Sequence, residues 1–193
     1  MTDPEPTERL RIVAVSGSLH RPSSTTALVA ALADAVARRL DAEIGLVELA
    51  EVGPGLSGAL KRSELAPDAE HAIAAIEQAD LLVVGSPVYR ASFTGLFKHL
   101  FDFVDEHALT DVPVLLAATG GSQRHALTIE HQLRPLFAFF QALTLPVGVY
   151  AASEDFEAGR VRCPAILERI EAAADRALPY LRATPAPVRP AAW

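Results

Sequence analysis

Residues 10–26 read LRIVAVSGSLHRPSSTT, and the reading of this stretch decides the fold. Residues 10–16 form a short apolar run rich in β-branched side chains, the pattern of a strand buried on both faces. A turn of small and hydroxyl-bearing residues follows. An alanine-rich segment, 25–40, then closes on Arg38 and Arg39, cations that suit a helix C-terminus. The unit is strand, polar loop, helix.

The same unit recurs along the chain. Strands are predicted at 44–49, 81–86, 114–118 and 145–150, and helices at 69–79, 94–104, 126–143 and 165–181. Five strands alternating with five helices predict an α/β architecture: a doubly wound, three-layer sandwich with a five-stranded parallel sheet in the order 2-1-3-4-5. In that arrangement ligands bind beyond the C-terminal strand ends, near the point where the strand order reverses. Residues 51–67, with Gly53, Pro54, Gly55 and Gly58, read as a long loop, either a lid or a subunit contact.

Composition narrows the function classes. A chain of 193 residues fits one domain, and 50% hydrophobic against 21% charged residues is enough to build a core. Its 24 acidic residues against 17 Lys plus Arg give a net charge of -7, which disfavours nucleic acid and anionic membranes as partners. The single cysteine, Cys163, excludes an intrachain disulfide framework and a cysteine-rich zinc site, so a cytoplasmic location is expected. Residues 1–9 read as a flexible acidic tail without a signal peptide, 10–182 as the domain, and 183–193 as a flexible tail containing Pro185, Pro187 and Pro190.

Three loops fall on one edge of the predicted sheet. The first carries Ser18, His20, Arg21, Ser23, Ser24, Thr25 and Thr26 ahead of a helix. Hydroxyls and free amides at the positive end of a helix suit a phosphate dianion, although Ser23 or Ser24 could serve as a cap alone. The chain has no GxxxxGK[ST] and no GxGxxG, which disfavours a nucleotide hydrolase or a standard dinucleotide-binding dehydrogenase. The second loop, Pro87, Val88, Tyr89 and Arg90 onward, offers an apolar wall, a phenol and a guanidinium to a flat ring, or else a kinked connection packing Tyr89 inward. The third, Thr119, Gly120, Gly121 and Ser122, lets backbone amides approach a planar ligand, or is a plain glycine turn. A phosphate site beside a flat-ring site describes a phosphorylated heterocycle of FMN's dimensions.

These residues resemble the flavodoxin-like, NADPH-dependent FMN reductases, in particular the reductase partners of alkanesulfonate and methanesulfonate monooxygenases. The resemblance spans about residues 11–156 and rests on SGSLHRPSSTTAL, GSPVYRASFTGLFKHLFD and ATGGSQRHALTIEHQLRPLF in order. It implies that Ser18, Ser23, Thr25 and Thr26 bind the FMN phosphate and that Pro87 to Arg90 and Thr119 to Ser122 hold the isoalloxazine. It also implies that reduced FMN passes to a monooxygenase. His20 stands where many relatives have arginine, with Arg21 beside it. His131 stands where alkanesulfonate-type relatives often have a tyrosine at a π-bulge, which resembles the methanesulfonate branch.

Hydride transfer between stacked nicotinamide and flavin rings needs no side-chain nucleophile or base, so no catalytic residue is assigned. Arg90 or Arg124 is expected to meet a phosphate of NADPH or NADH. Alternatives are a quinone, azo-dye or metal-ion reductase with bound FMN, and a flavodoxin-like electron carrier. The lack of an aromatic sandwich disfavours the carrier. His125 and His131 lack metal-pair spacing, His99 and Asp102 read as a surface or interface pair, and Cys163 reads as inert. Apolar residues cover a wide arc of helices 94–104 and 126–143, which predicts a homodimer or homotetramer through them, with a surplus core as the other explanation.

Overall fold

The computed structural model describes residues 9–182, and the two predicted tails otherwise lie outside them. Strands β1 (Leu10–Ser16), β2 (Ala42–Glu48), β3 (Leu81–Pro87) and β4 (Pro113–Gly120) pair in parallel. The fifth position is filled by two pieces, β5 (Leu143–Thr144) and β6 (Val149–Ala152), each parallel to β4. The strand order β2-β1-β3-β4-β5 is the flavodoxin-like order predicted from the sequence.

The helices are α1 (Ser24–Ala37), α2 (Leu49–Leu56), α3 (Pro67–Glu77), α4 (Gly95–Phe101), α5 (Arg134–Phe139) and α6 (Pro164–Arg182). Helix α1 forms because an alanine-rich segment follows a good cap: Ser23 accepts a hydrogen bond from the Thr26 amide. It buries Leu28, Val29, Leu32 and Val36 against one sheet face, where α6 joins it through Ile170, Ala173 and Ala177. Helices α2 to α5 cover the other face around Val15, Val84, Phe97, Phe101 and Phe137. Burying each such Leu, Val or Phe side chain contributes about 1.5–3 kcal/mol.

Three expectations are corrected. Residues 51–67 are not an open loop: α2 and a 3-10 turn at Arg62–Glu64 occupy most of it, with Leu56 and Ala59 buried. Gly53 and Pro54 concealed this helix from a propensity reading, yet Gly53 is where α2 comes close to Leu96 of α4, and a Cβ there would stand 2.6 Å from Leu96 Cδ2. The strand expected at 145–150 is broken at Pro146, which has no amide to donate. Arg134 donates to the Leu145 carbonyl (3.1 Å) and Arg169 to the Gly148 carbonyl (2.7 Å) across the break. The helix expected at 126–143 is a π-helical turn, Ile129–Leu133, leading into the short α5.

Much of the wide apolar arc is core. Phe101 packs on Phe97 at 4.9 Å and edge-on against Phe137 at 4.9 Å, because α4 and α5 bury side chains against each other as well as against the sheet. His99 bonds the Leu56 carbonyl at 3.1 Å, and Asp102 pairs with Lys98, so the two do not form a pair.

Candidate functional site

All three loops lie beyond the C-terminal ends of parallel strands, and backbone bonds interlock them. The Gly17 amide donates to the Gly85 carbonyl (2.7 Å), and Thr94 Oγ1 donates to the Gly17 carbonyl (3.0 Å). A Cβ at Gly17 would stand 2.7 Å from Phe97 Cδ2, so only glycine lets the first loop lie this close to α4. The Val88 amide donates to the Thr119 carbonyl (2.7 Å), and Thr25 Oγ1 and Thr119 Oγ1 share a buried hydrogen bond of 2.7 Å. The structure thus brings the residues of all three sequence motifs to one edge.

The first loop presents the start of α1. First-turn amides have no intrahelical backbone acceptor, and α1 carries no acidic residue in its own first turn. The hydroxyls differ in what they can still donate. Ser23 Oγ only accepts, from the Thr26 amide at 3.1 Å, and keeps its hydrogen. Ser18 Oγ donates to the His20 carbonyl at 3.1 Å, so its hydrogen is engaged within the loop. Thr26 Oγ1 lies 2.9 Å from Glu48 Oε1 and 2.8 Å from Ser16 Oγ. Arg21 turns toward Glu48 and Glu51 and pairs with both, while His20 is exposed. These partners raise the Arg21 pKa, first through its bond to Glu48.

The second loop closes as a tight hairpin. Tyr89 and Ser92 exchange backbone bonds of 2.8 and 3.0 Å, and the two residues between them, Arg90 and Ala91, have φ of 49° and 68°. Left-handed backbone costs a non-glycine residue about 1–2 kcal/mol, and the paired ends hold it there. The turn projects Arg90 from the edge, exposed, with Tyr89 also exposed beside it. Ser92 Oγ bonds Gln132 Oε1 at 3.0 Å, tying the hairpin to the π-helical turn that contains His131.

The third loop is braced by Tyr150, whose hydroxyl donates to the Ser122 carbonyl at 2.6 Å. Burial, and secondarily Asp155, raise the Tyr150 pKa, so the phenol stays a donor at neutral pH. A Cβ on Gly120 would collide with that hydroxyl, whereas one on Gly121 would meet nothing within 4 Å, leaving open space above the loop. Arg124 is exposed in the turn that follows.

Sequence reasoning missed Glu48, Gln132, Tyr150 and Ser153, which reach the loops from other elements. Asp155 offered a local signal, since an aspartate three residues past a strand end caps it: Oδ2 accepts from the Ala152 amide at 2.7 Å. A groove of about 260 Å³ lined by Arg11, Glu43, Ile44, Gly45, Ala75 and Gln78 lies at the opposite end of the sheet and takes no part in this edge.

A hydroxyl-rich helix N-terminus at the switch point of a 2-1-3-4-5 sheet, bonded to two further loops on the same edge, is the arrangement of a flavodoxin-like α/β protein, whose ligands bind at that edge. The comparisons with known proteins narrow this further. The family model described as NADPH-dependent FMN reductase matches residues 10–157, and the chain belongs to that family. It is 56% identical over 170 residues to the NADH-dependent FMN reductase SfnF of Pseudomonas putida, covering 88% of this chain and 91% of the relative. It is 49% identical over 173 residues to an FMN reductase (NADPH) of Pseudomonas aeruginosa, covering 90% and 93%. Among solved structures, an oxidoreductase from Corynebacterium diphtheriae superposes with a TM-score of 0.81 at 35% identity, covering 91% of this chain and 98% of that one. The chain is an oxidoreductase, an NAD(P)H-dependent FMN reductase.

Proposed function

We propose that the chain holds FMN across the three interlocked loops and releases it in reduced form to a monooxygenase that acts on alkanesulfonates or methanesulfonate. The observation that carries this reading is the single edge on which the α1 N-terminus, the Tyr89 hairpin and the double glycine are bonded to one another. The residues present fit a flavin mononucleotide. Ser23, the Thr25–Thr119 pair and the first-turn amides of α1 supply donors for a phosphate, with Ser18, His20 and Thr26 lining the same loop. Pro87, Val88, Tyr89 and Arg90 would hold the ring on one side, and Thr119, Gly120, Gly121 and Ser122 on the other.

The flavin, when bound, supplies the hydride-accepting chemistry. The protein's part is orientation and electrostatics. Amides at Gly121 and Ser122, in the loop that Tyr150 braces, would supply donors to negative charge on a reduced flavin. Arg90, exposed on its hairpin, or Arg124, exposed after the third loop, would meet a phosphate of the nicotinamide nucleotide. Purified protein stripped of flavin should oxidise NADH or NADPH in air with saturable dependence on added FMN. Stoichiometric tight flavin without turnover would instead leave an electron carrier, or a reductase awaiting another acceptor.

A cytoplasmic site of action accords with a redox cofactor exchanged with other enzymes. Among the described residues, no helix is long and apolar enough to cross a membrane. Self-association into a homodimer or homotetramer would cover Leu127 (64% exposed), Phe139 (53%) and Leu143 (38%), the part of the apolar arc that the core leaves at the surface. Sedimentation at working concentration tests this, and a monomer would refute it.

A further inference from the structure

We propose that Glu48 sets the affinity for the flavin phosphate, acting as a buried carboxylate that competes with the phosphate for Thr26 and Arg21 and so keeps FMN an exchangeable substrate. The inference rests on the first loop being the phosphate site.

Glu48 ends β2 behind the first loop, with its side chain only 9% exposed. An ionised carboxylate accepts hydrogen bonds and donates none. The bond between Thr26 Oγ1 and Glu48 Oε1 therefore uses the threonine's one hydroxyl hydrogen, and Ser16 Oγ, 2.8 Å away, becomes the donor to Thr26. Thr26 can offer that hydrogen to a phosphate only by giving up Glu48. Arg21, the loop's cation, is held in the same way: Glu48 pairs with it from β2 and Glu51 from α2. The carboxylate also stands one hydroxyl away from the first turn of α1, well inside the roughly 8–10 Å over which salt leaves charge interactions effective. A phosphate dianion bound there is repelled directly, and it also loses two donors that the sequence places within reach.

The remaining donors are the Ser23 hydroxyl, the second hydrogen of the Thr25–Thr119 pair and the Ser24 and Thr25 amides of the first turn. That set suffices to recognise a phosphate without locking it in place, as a reductase that gives its flavin away requires. The effect is confined to the phosphate end, so it discriminates between FMN and riboflavin, which lacks the phosphate.

The test measures dissociation constants of the flavin-free protein for FMN and for riboflavin, by the change in flavin fluorescence, with thermal melts as the check on folding. Glu48→Gln should tighten FMN about tenfold and leave riboflavin unchanged. Glu51→Gln, which removes an exposed carboxylate that contacts Arg21, should tighten FMN by a smaller factor. An unchanged or weaker FMN affinity in a folded Glu48→Gln protein would overturn the proposal, as would riboflavin tightening in step with FMN. Should Glu48→Gln fail to fold, an unchanged FMN affinity in Glu51→Gln overturns it. Because no nicotinamide is present, the outcome is independent of whether the chain turns over NADH or NADPH.

Discussion

Tyr150 and Gly120 show how one atom fixes a loop. The phenol hydroxyl occupies the space that a Cβ on residue 120 would need, and from there it bonds the Ser122 carbonyl. Gly120→Ala should cost about 1–3 kcal/mol in urea denaturation, through overpacking and displacement of that hydroxyl. Adding Tyr150→Phe removes the obstacle, so the double variant should lose less than the sum of the two single losses; additivity would show that the collision does not govern the site. Glu48 gives a pH signature. Burial favours its neutral form, but bonds from Arg21 and Thr26 outweigh that and hold the carboxyl below its ordinary value of 4.5. Glu130 is lowered likewise, chiefly by its bond to Arg134. A depressed folded pKa gives stabilisation that is fully present above the unfolded value and is lost as pH falls through the folded one. Urea midpoints should therefore drop as pH falls below about 4.5, and Glu48→Gln should drop less steeply; parallel curves would deny Glu48 a part.

Among the elements, the segment that joins α2 to α3 departs most from a sequence reading. Its 3-10 turn is held by Arg62, which bonds Glu70 at 2.8 Å and Glu77 at 2.5 Å, bidentate to both, and these bonds raise the Arg62 pKa. Glu77 in turn accepts from the Asp105 amide at 2.9 Å, so this one network ties the turn, α3 and the residues after α4. Arg62 is partly exposed, so solvent screens the pairs, and Arg62→Ala should cost only about 1 kcal/mol, less in high salt. A loss that salt leaves unchanged would point to packing of the arginine stem. The π-helical turn is the second such element. Its His131 was legible as an expected bulge through family resemblance, but the bond between its neighbour Gln132 and Ser92 of the hairpin has no local sequence signature.

For the whole molecule, the sheet divides two apolar layers, and the few large apolar side chains left outside them bear on assembly. Phe139→Glu should shift the sedimentation coefficient toward the monomer and leave the melting temperature of the isolated fold nearly unchanged. A large loss of stability in a protein already monomeric would show that the ring serves the fold alone.

The sequence by itself determined the five βα units, the strand order and the edge on which the three motifs meet. Period-two and helical patterning are local, and parallel right-handed connection leaves few alternatives. Contacts between residues far apart in the chain decided the rest. Packing on Leu96 made a helix of a Gly-Pro-Gly segment, and arginine side chains from α5 and α6 satisfied a broken fifth strand. Glu48, twenty-two positions from Thr26, came to share its hydroxyl. Only the tertiary structure could decide these, because hydrogen-bond satisfaction and close packing depend on which groups meet in space, and neither periodicity nor spacing in the chain records that.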